Sequence, residues 1–156
     1  MTVEVVVILD KSSNLLFSFY KISYNEIGDN MKVLTIKQPW ASLIVNKYKT
    51  YEFRSWKTNY RGKILIHAGL TMEKDISNKL NYNIEYIQGA IIGEAIITDC
   101  ILVDEAFNNE LNNINKIVYG NTNKIGKYAW KLENIVKYDK PVFIKGKLGL
   151  WNYNEK

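Results

Sequence analysis

The stretch Met31–Gly69 reads MKVLTIKQPWASLIVNKYKTYEFRSWKTNYRGKILIHAG, and it decides both the fold and the chemistry of the chain. Lys32–Ile36 (KVLTI) is a short strand. Gln38-Pro39-Trp40 then turns the chain into a helix, with Pro39 near its first position, where a missing N–H costs nothing. Trp40, Leu43 and Ile44 supply the buried side of that helix, and Asn46 is expected as its left-handed C-terminal cap. From Lys49 to Trp56 the pattern alternates. Thr50, Glu52, Arg54 and Trp56 share one face of a strand, and Tyr51, Phe53 and Ser55 the other. Thr58–Gly62 is a turn. Lys63–Ala68 (KILIHA) is a buried strand, with Leu65 and His67 opposite Ile64 and Ile66.

The same segment carries the charge of the molecule. Lys32, Lys37, Lys47, Lys49, Arg54, Lys57, Arg61 and Lys63 stand against one acid, Glu52. From Ile64 onward, eleven Lys balance eleven Asp and Glu, and residues 1–30 hold two Lys against four acids. The net +5 and the pI near 9.1 therefore describe one basic segment on a neutral body. Tyr51, Phe53, Trp56 and Tyr60 interleave with these cations. That combination suits a polyanion with stackable bases, although a solvated Lys-rich face over an aromatic core has the same composition.

Working outward, Thr71–Asn81 has helical spacing at Met72, Ile76 and Leu80, with Thr71 as a candidate N-cap. Gln88–Val103 is a long β run with glycines at 89 and 93, as a strand coiling around a small barrel requires. Asp104–Tyr119 reads as one helix with Phe107, Leu111, Ile114 and Val118 as its apolar stripe and Asp104 and Glu105 at its start. Asn121–Lys127 is a polar loop that can fringe a groove. Lys127–Glu133 and Pro141–Trp151 close the chain as two strands. The expected class is mainly β with peripheral helices (α+β), a small barrel with two to three short helices. Residues 1–30 divide from this unit. Thr2–Leu9 and Asn14–Tyr24 read as a hairpin, and Met31 is an equally good start for the protein.

Length and composition narrow the classes further. A chain of 156 residues, 47% apolar and 13% aromatic, is one domain with a real core. Cys100 is the single cysteine and His67 the single histidine, so neither an internal disulfide nor the usual zinc cluster is expected. No cofactor is expected, and no apolar run is long enough for a bilayer. A cytoplasmic protein, monomeric rather than oligomeric, fits these features.

The residues Ile36-Lys37-Gln38-Pro39-Trp40-Ala41, then Lys49-x-x-Glu52-x-Arg54-x-Trp56, then Tyr60-Arg61-Gly62-x-x-Leu65-Ile66-His67-Ala68 resemble the ASCH family, a branch of the PUA-like superfamily. Gly146–Trp151 looks like the family's last strand, so the resemblance covers about residues 31–152. It implies a PUA-like β-barrel with a cleft beside Lys49, Glu52 and Arg54 where RNA or a nucleotide-like ligand binds, flanked by Trp56 and Arg61. Two positions depart from the pattern. Lys47 stands where a Gly is common after the helix, and Phe53 stands where Asn is frequent. On its own strand face Phe53 is expected merely to pack.

Three functions follow as expectations. The first is a module binding single-stranded RNA or a modified nucleoside through Lys37, Gln38, Trp40, Lys49, Glu52, Arg54, Trp56, Arg61 and His67. Trp56 would stack, the cations would meet phosphate or base edges, and Glu52 would accept from a base amine or orient Arg54. His67 is either a hydrogen-bonded structural residue or part of the site lining. The second is a metal-independent hydrolase of RNA or an acylated nucleoside, with Lys49 and Glu52 as acid–base groups. Some ASCH-like proteins are amidohydrolases with a Lys base and a Thr nucleophile three residues later, but that Thr position is Glu52 here. The third is a protein-interaction domain for an acidic partner.

Overall fold

The computed structural model describes residues 31–120 and 123–153; the expected hairpin in residues 1–30 lies outside them. β1 (Lys32–Gln38) leads into α1 (Trp40–Val45), followed by β2 (Tyr51–Arg54) and β3 (Gly62–Met72). After the short α2 (Lys74–Lys79) come β4 (Ala90–Leu102), α3 (Glu105–Ile114) and α4 (Lys116–Tyr119). β5 (Tyr128–Phe143) and β6 (Leu150–Asn152) complete the chain. The six strands form one mixed sheet in the order β2-β5-β4-β3-β1-β6. β1 and β3 run parallel and the other ladders are antiparallel. The class is the expected one, strands wrapped around a core with small helices outside, though the described residues hold four helices where two to three are expected.

No ladder joins β2 to β6 among the described residues, so the sheet is not closed. It is nevertheless strongly curled. A flat sheet would separate β2 from β1 by four strand spacings, roughly 19 Å. Yet Arg54 on β2 donates from Nη2 to the Thr35 carbonyl on β1 at 2.8 Å. The inside of the curl holds the main core, built from Leu34, Ile36, Ile64, Ile66, Ile97 and Trp130 with Ala41 and Ile44 of α1. A second cluster of Leu43, Leu111, Val118 and Tyr119 seats α3 and α4 against α1. Gly93 is needed for close approach, because a Cβ there would stand 2.4 Å from the Val136 carbonyl oxygen and 2.7 Å from Val45.

Several local expectations change in the folded chain. Asn46 has φ −91°, and the left-handed residue after α1 is Lys47 at φ 65°. The strand read over residues 49–56 is only Tyr51–Arg54, leaving Trp56 beyond its end. Thr71 caps no helix, because β3 runs on to Met72 and pairs with Gln38, and Glu73 N–H donates to the Gln38 carbonyl at 2.8 Å. Tertiary strand pairing outweighs the helical spacing there, and α2 starts three residues later. The helix expected over 104–119 breaks at Asn115, whose side chain accepts from the N–H groups of Ile117 and Val118 at 3.1 Å. Asp104 does cap α3, accepting from Phe107 N–H at 2.8 Å.

The largest change lies near the end of the chain. Residues between the two expected closing strands join the first of them in a single 16-residue β5, with Asn134 at φ 49° where the register shifts. The last strand shrinks to β6, so residues 144–149 become a loop.

Candidate functional site

The curl leaves an open cleft of about 1040 Å³ between β2, β1, the end of β3 and the loop 144–149. Of the residues singled out from sequence, Lys37, Trp40, Lys49, Glu52, Arg54 and His67 line it. Gln38, Trp56 and Arg61 do not. Gln38 is fully buried, taking Ser42 N–H at 3.0 Å and donating to Ser42 Oγ and the Ile87 carbonyl, so it fixes the start of α1. Arg61 bonds the carbonyls of Thr58 and Tyr60 and pairs with Asp99 at 3.4 Å. Trp56 is 42% exposed and stands edge-on to Trp130, with ring centroids 4.6 Å apart.

The floor is a buried ion network. Alternation along β2 puts Glu52 and Arg54 on one face, and Lys49 reaches the same point from just before the strand. Lys49 Nζ donates to Glu52 Oε2 and to the Tyr51 carbonyl, both at 2.5 Å. Arg54 Nη2 lies 3.4 Å from Glu52 Oε1. Burial alone would raise the Glu52 carboxyl, but Lys49, Arg54 and the Phe53 N–H together outweigh it and hold the pKa below the usual carboxylate range. Glu52 is thus an ionised acceptor between two cations. Arg54 Nε is buried and has no hydrogen-bond partner among the described residues.

Phe53 does more than pack. β2 is the edge strand of the sheet, so residues from both of its faces can reach the cleft, and Phe53 lines it. Its ring is flanked by two ammonium groups, Lys49 at 5.2 Å and Lys124 at 5.3 Å from the centroid. Lys124 also donates to the Tyr119 carbonyl. Burial, with Lys49 and Lys127 nearby, pushes its pKa down to about 8.

His67 straps the opposite wall. The Ile144 carbonyl can only accept, so His67 Nε2 carries the proton and donates to it at 3.1 Å. Nδ1 then faces Thr35 Oγ1 at 3.3 Å, while the single hydroxyl proton of Thr35 goes to the Lys147 carbonyl at 2.6 Å. Trp151 Nε1–H donates to the same hydroxyl at 3.0 Å. Gly146 lies against the imidazole so closely that a Cβ would stand 2.2 Å from Cε1. Burial lowers the His67 pKa, partly opposed by the bond to Ile144. His67 lines the cleft and, through its bonds, anchors the loop that forms the cleft's rim.

Lys124, Lys127, Lys145 and Lys147 also line the cleft; the sequence pointed to the Asn121–Lys127 loop as a groove fringe but singled out none of these four lysines. They come from the part of the chain whose total charge is zero. The alternation of Lys145 and Lys147 with Gly146 and Gly149 was the available signal, since glycines let a loop lie flat on a neighbour.

A family model for the ASCH domain matches residues 34–142, more than half of the chain. The chain belongs to that family. The matched span contains the whole Lys49–Glu52–Arg54 network and stops short of Gly146–Trp151. No curated protein matches the chain. Among solved structures, the crystal structure of ASCH from Zymomonas mobilis is similar at 16% identity and a TM-score of 0.51, covering 81% of this chain and 89% of that one. Two single-residue variants of that protein match equally well, with TM-scores of 0.51 and 0.50. At this identity the likeness speaks for the ASCH fold alone. No helix among the described residues is long and apolar enough to cross a membrane.

Proposed function

We propose that this ASCH domain binds single-stranded RNA, or a modified nucleoside within it, in the basic cleft. The observation that carries the reading is the charge of the lining. Lys37, Lys49, Arg54, Lys124, Lys127, Lys145 and Lys147 face two carboxylates, Glu52 and Glu73. Trp40 and Phe53 add aromatic walls, and buried Glu52 offers an acceptor to a base amine. Splayed bases of a single strand can reach such walls, whereas stacked duplex bases cannot. The test is RNA binding against salt. Single-strand affinity falls as roughly the 0.7 power of salt per phosphate contacted, so four to six contacts cost about 50- to 300-fold between 50 and 200 mM. No binding of single-stranded RNA at low salt would remove the reading.

Glu52 suits the base role of a hydrolytic Lys49–Glu52 pair poorly. A general base works best with a pKa near the working pH, and Glu52 is held in the opposite direction. An acidic protein partner is separated by competition, since RNA should displace it only if both use the cleft.

A further inference from the structure

The three most exposed large apolar side chains among the described residues are Leu148 at 96%, Leu70 at 80% and Phe143 at 73%. All three line the cleft. Their convergence follows from the backbone. Gly89 donates to the Ala68 carbonyl at 2.8 Å and accepts from Ile144 N–H at 3.1 Å, so it is held between the later part of β3 and the end of β5. Leu70 leans over Gly89, its Cδ2 only 3.1 Å from where a Cβ would stand, and Phe143 pairs with Ala90 next door. Leu148 arrives on the loop strapped by Thr35, which bonds the carbonyls of Lys147 and Gly149. Lys145 and Lys147 alternate with this apolar group along the chain and line the same mouth.

We propose that this mouth is a stacking platform, centred on Phe143, for a second unpaired nucleobase outside the cleft floor. The ligand is then a strand of at least two nucleotides and not a free nucleoside. The inference rests on the RNA reading above and adds the substrate class to it. An exposed aromatic face beside flexible cations is the arrangement that holds successive bases and their phosphates without reading sequence. Two copies of this chain meeting face to face here would bring Lys145 and Lys147 of each against those of the other, a like-charge contact that opposes self-association.

The experiment is calorimetric titration at 50 mM salt with a mononucleotide, a dinucleotide and a mixed-sequence tetranucleotide RNA. The proteins are the wild type, Phe143→Ala and Phe143→Trp. Phe143 is exposed, so both variants should keep the wild-type melting curve. Phe143→Ala should weaken the tetranucleotide about 5- to 150-fold, the loss of one stacked base, while changing mononucleotide affinity less than twofold. Phe143→Trp should bind the tetranucleotide at least as tightly as the wild type. Equal losses for short and long ligands, or no loss, would overturn the platform while leaving the cleft reading intact. A wild type that binds none of the three would remove both. A changed elution volume for Phe143→Ala, or loss of poly-glutamate binding with RNA binding untouched, would assign the mouth to protein contacts and overturn the platform.

Discussion

Arg54 on the edge strand β2 reaches across the curled sheet to the Thr35 carbonyl on β1 at 2.8 Å, and the same guanidinium lies 3.4 Å from Glu52. One side chain therefore holds two parts of the cleft together. It ties β2 to β1 across the open side of the curl, and it lies beside the buried carboxylate. Because the clasp is a side chain and not a backbone ladder, it can be removed by substitution.

Arg54→Lys should lower stability by about 1.5–3 kcal/mol, the range for a hydrogen bond to a charged group. Both contacts run through Nη2, and the shorter lysine keeps the charge but cannot place its ammonium where Nη2 sits. Thermal melting checks this, and an unchanged midpoint would show that the curl holds without the clasp.

Glu52→Gln should cost more, about 3–5 kcal/mol, because it leaves the buried Lys49 ammonium without its carboxylate. Adding Lys49→Met to Glu52→Gln should recover part of that loss. Urea denaturation of both single variants and the double variant gives the coupling. Additive losses would mean that the two groups do not interact energetically.

Stability should fall on acidification in two stages. His67 has its folded pKa below the ordinary 6.5, so the unfolded chain takes up the proton first and folding weakens as pH drops from about that value. Glu52 has its folded pKa below 4.5, so its contribution is present above that pH and is lost as pH falls further. In His67→Gln the upper stage should vanish and the lower one remain. Melting curves between pH 8 and pH 3 read both limbs.

Lys47→Gly should stabilise the domain by about 1 kcal/mol, since Lys47 occupies a left-handed conformation that disfavours side chains. The melting temperature should rise about 2–4 °C. RNA affinity should hold, because Lys47 does not line the cleft.

Gly146→Ala should cost about 1–3 kcal/mol through collision with the His67 ring. The cost should shrink in a His67→Ala background, where the ring is gone. Equal costs in both backgrounds would mean the loop, and not the imidazole, sets the fit.

The sequence alone determined the class of fold and the sharing of one strand face by Glu52 and Arg54. Both are written in local pattern. Alternation from Thr50 to Arg54 puts Glu52 and Arg54 on one face whatever surrounds them, and β-branched runs such as Lys63–Ala68 form strands in any sheet. Asp104 likewise caps its helix through a bond that spans only three residues. The tertiary structure decided which distant residues complete the site. Pairing with Gln38 turned Met72 from helix to strand, and a continuous β5 freed residues 144–149 to become the rim. Lys124, Lys127, Lys145 and Lys147 join the cleft only because the sheet curls, and Trp56, beyond the end of β2, is outside its lining. Side-chain spacing reports neighbours within one element, whereas curvature and loop docking arise from contacts between residues far apart in the chain, which no local pattern records.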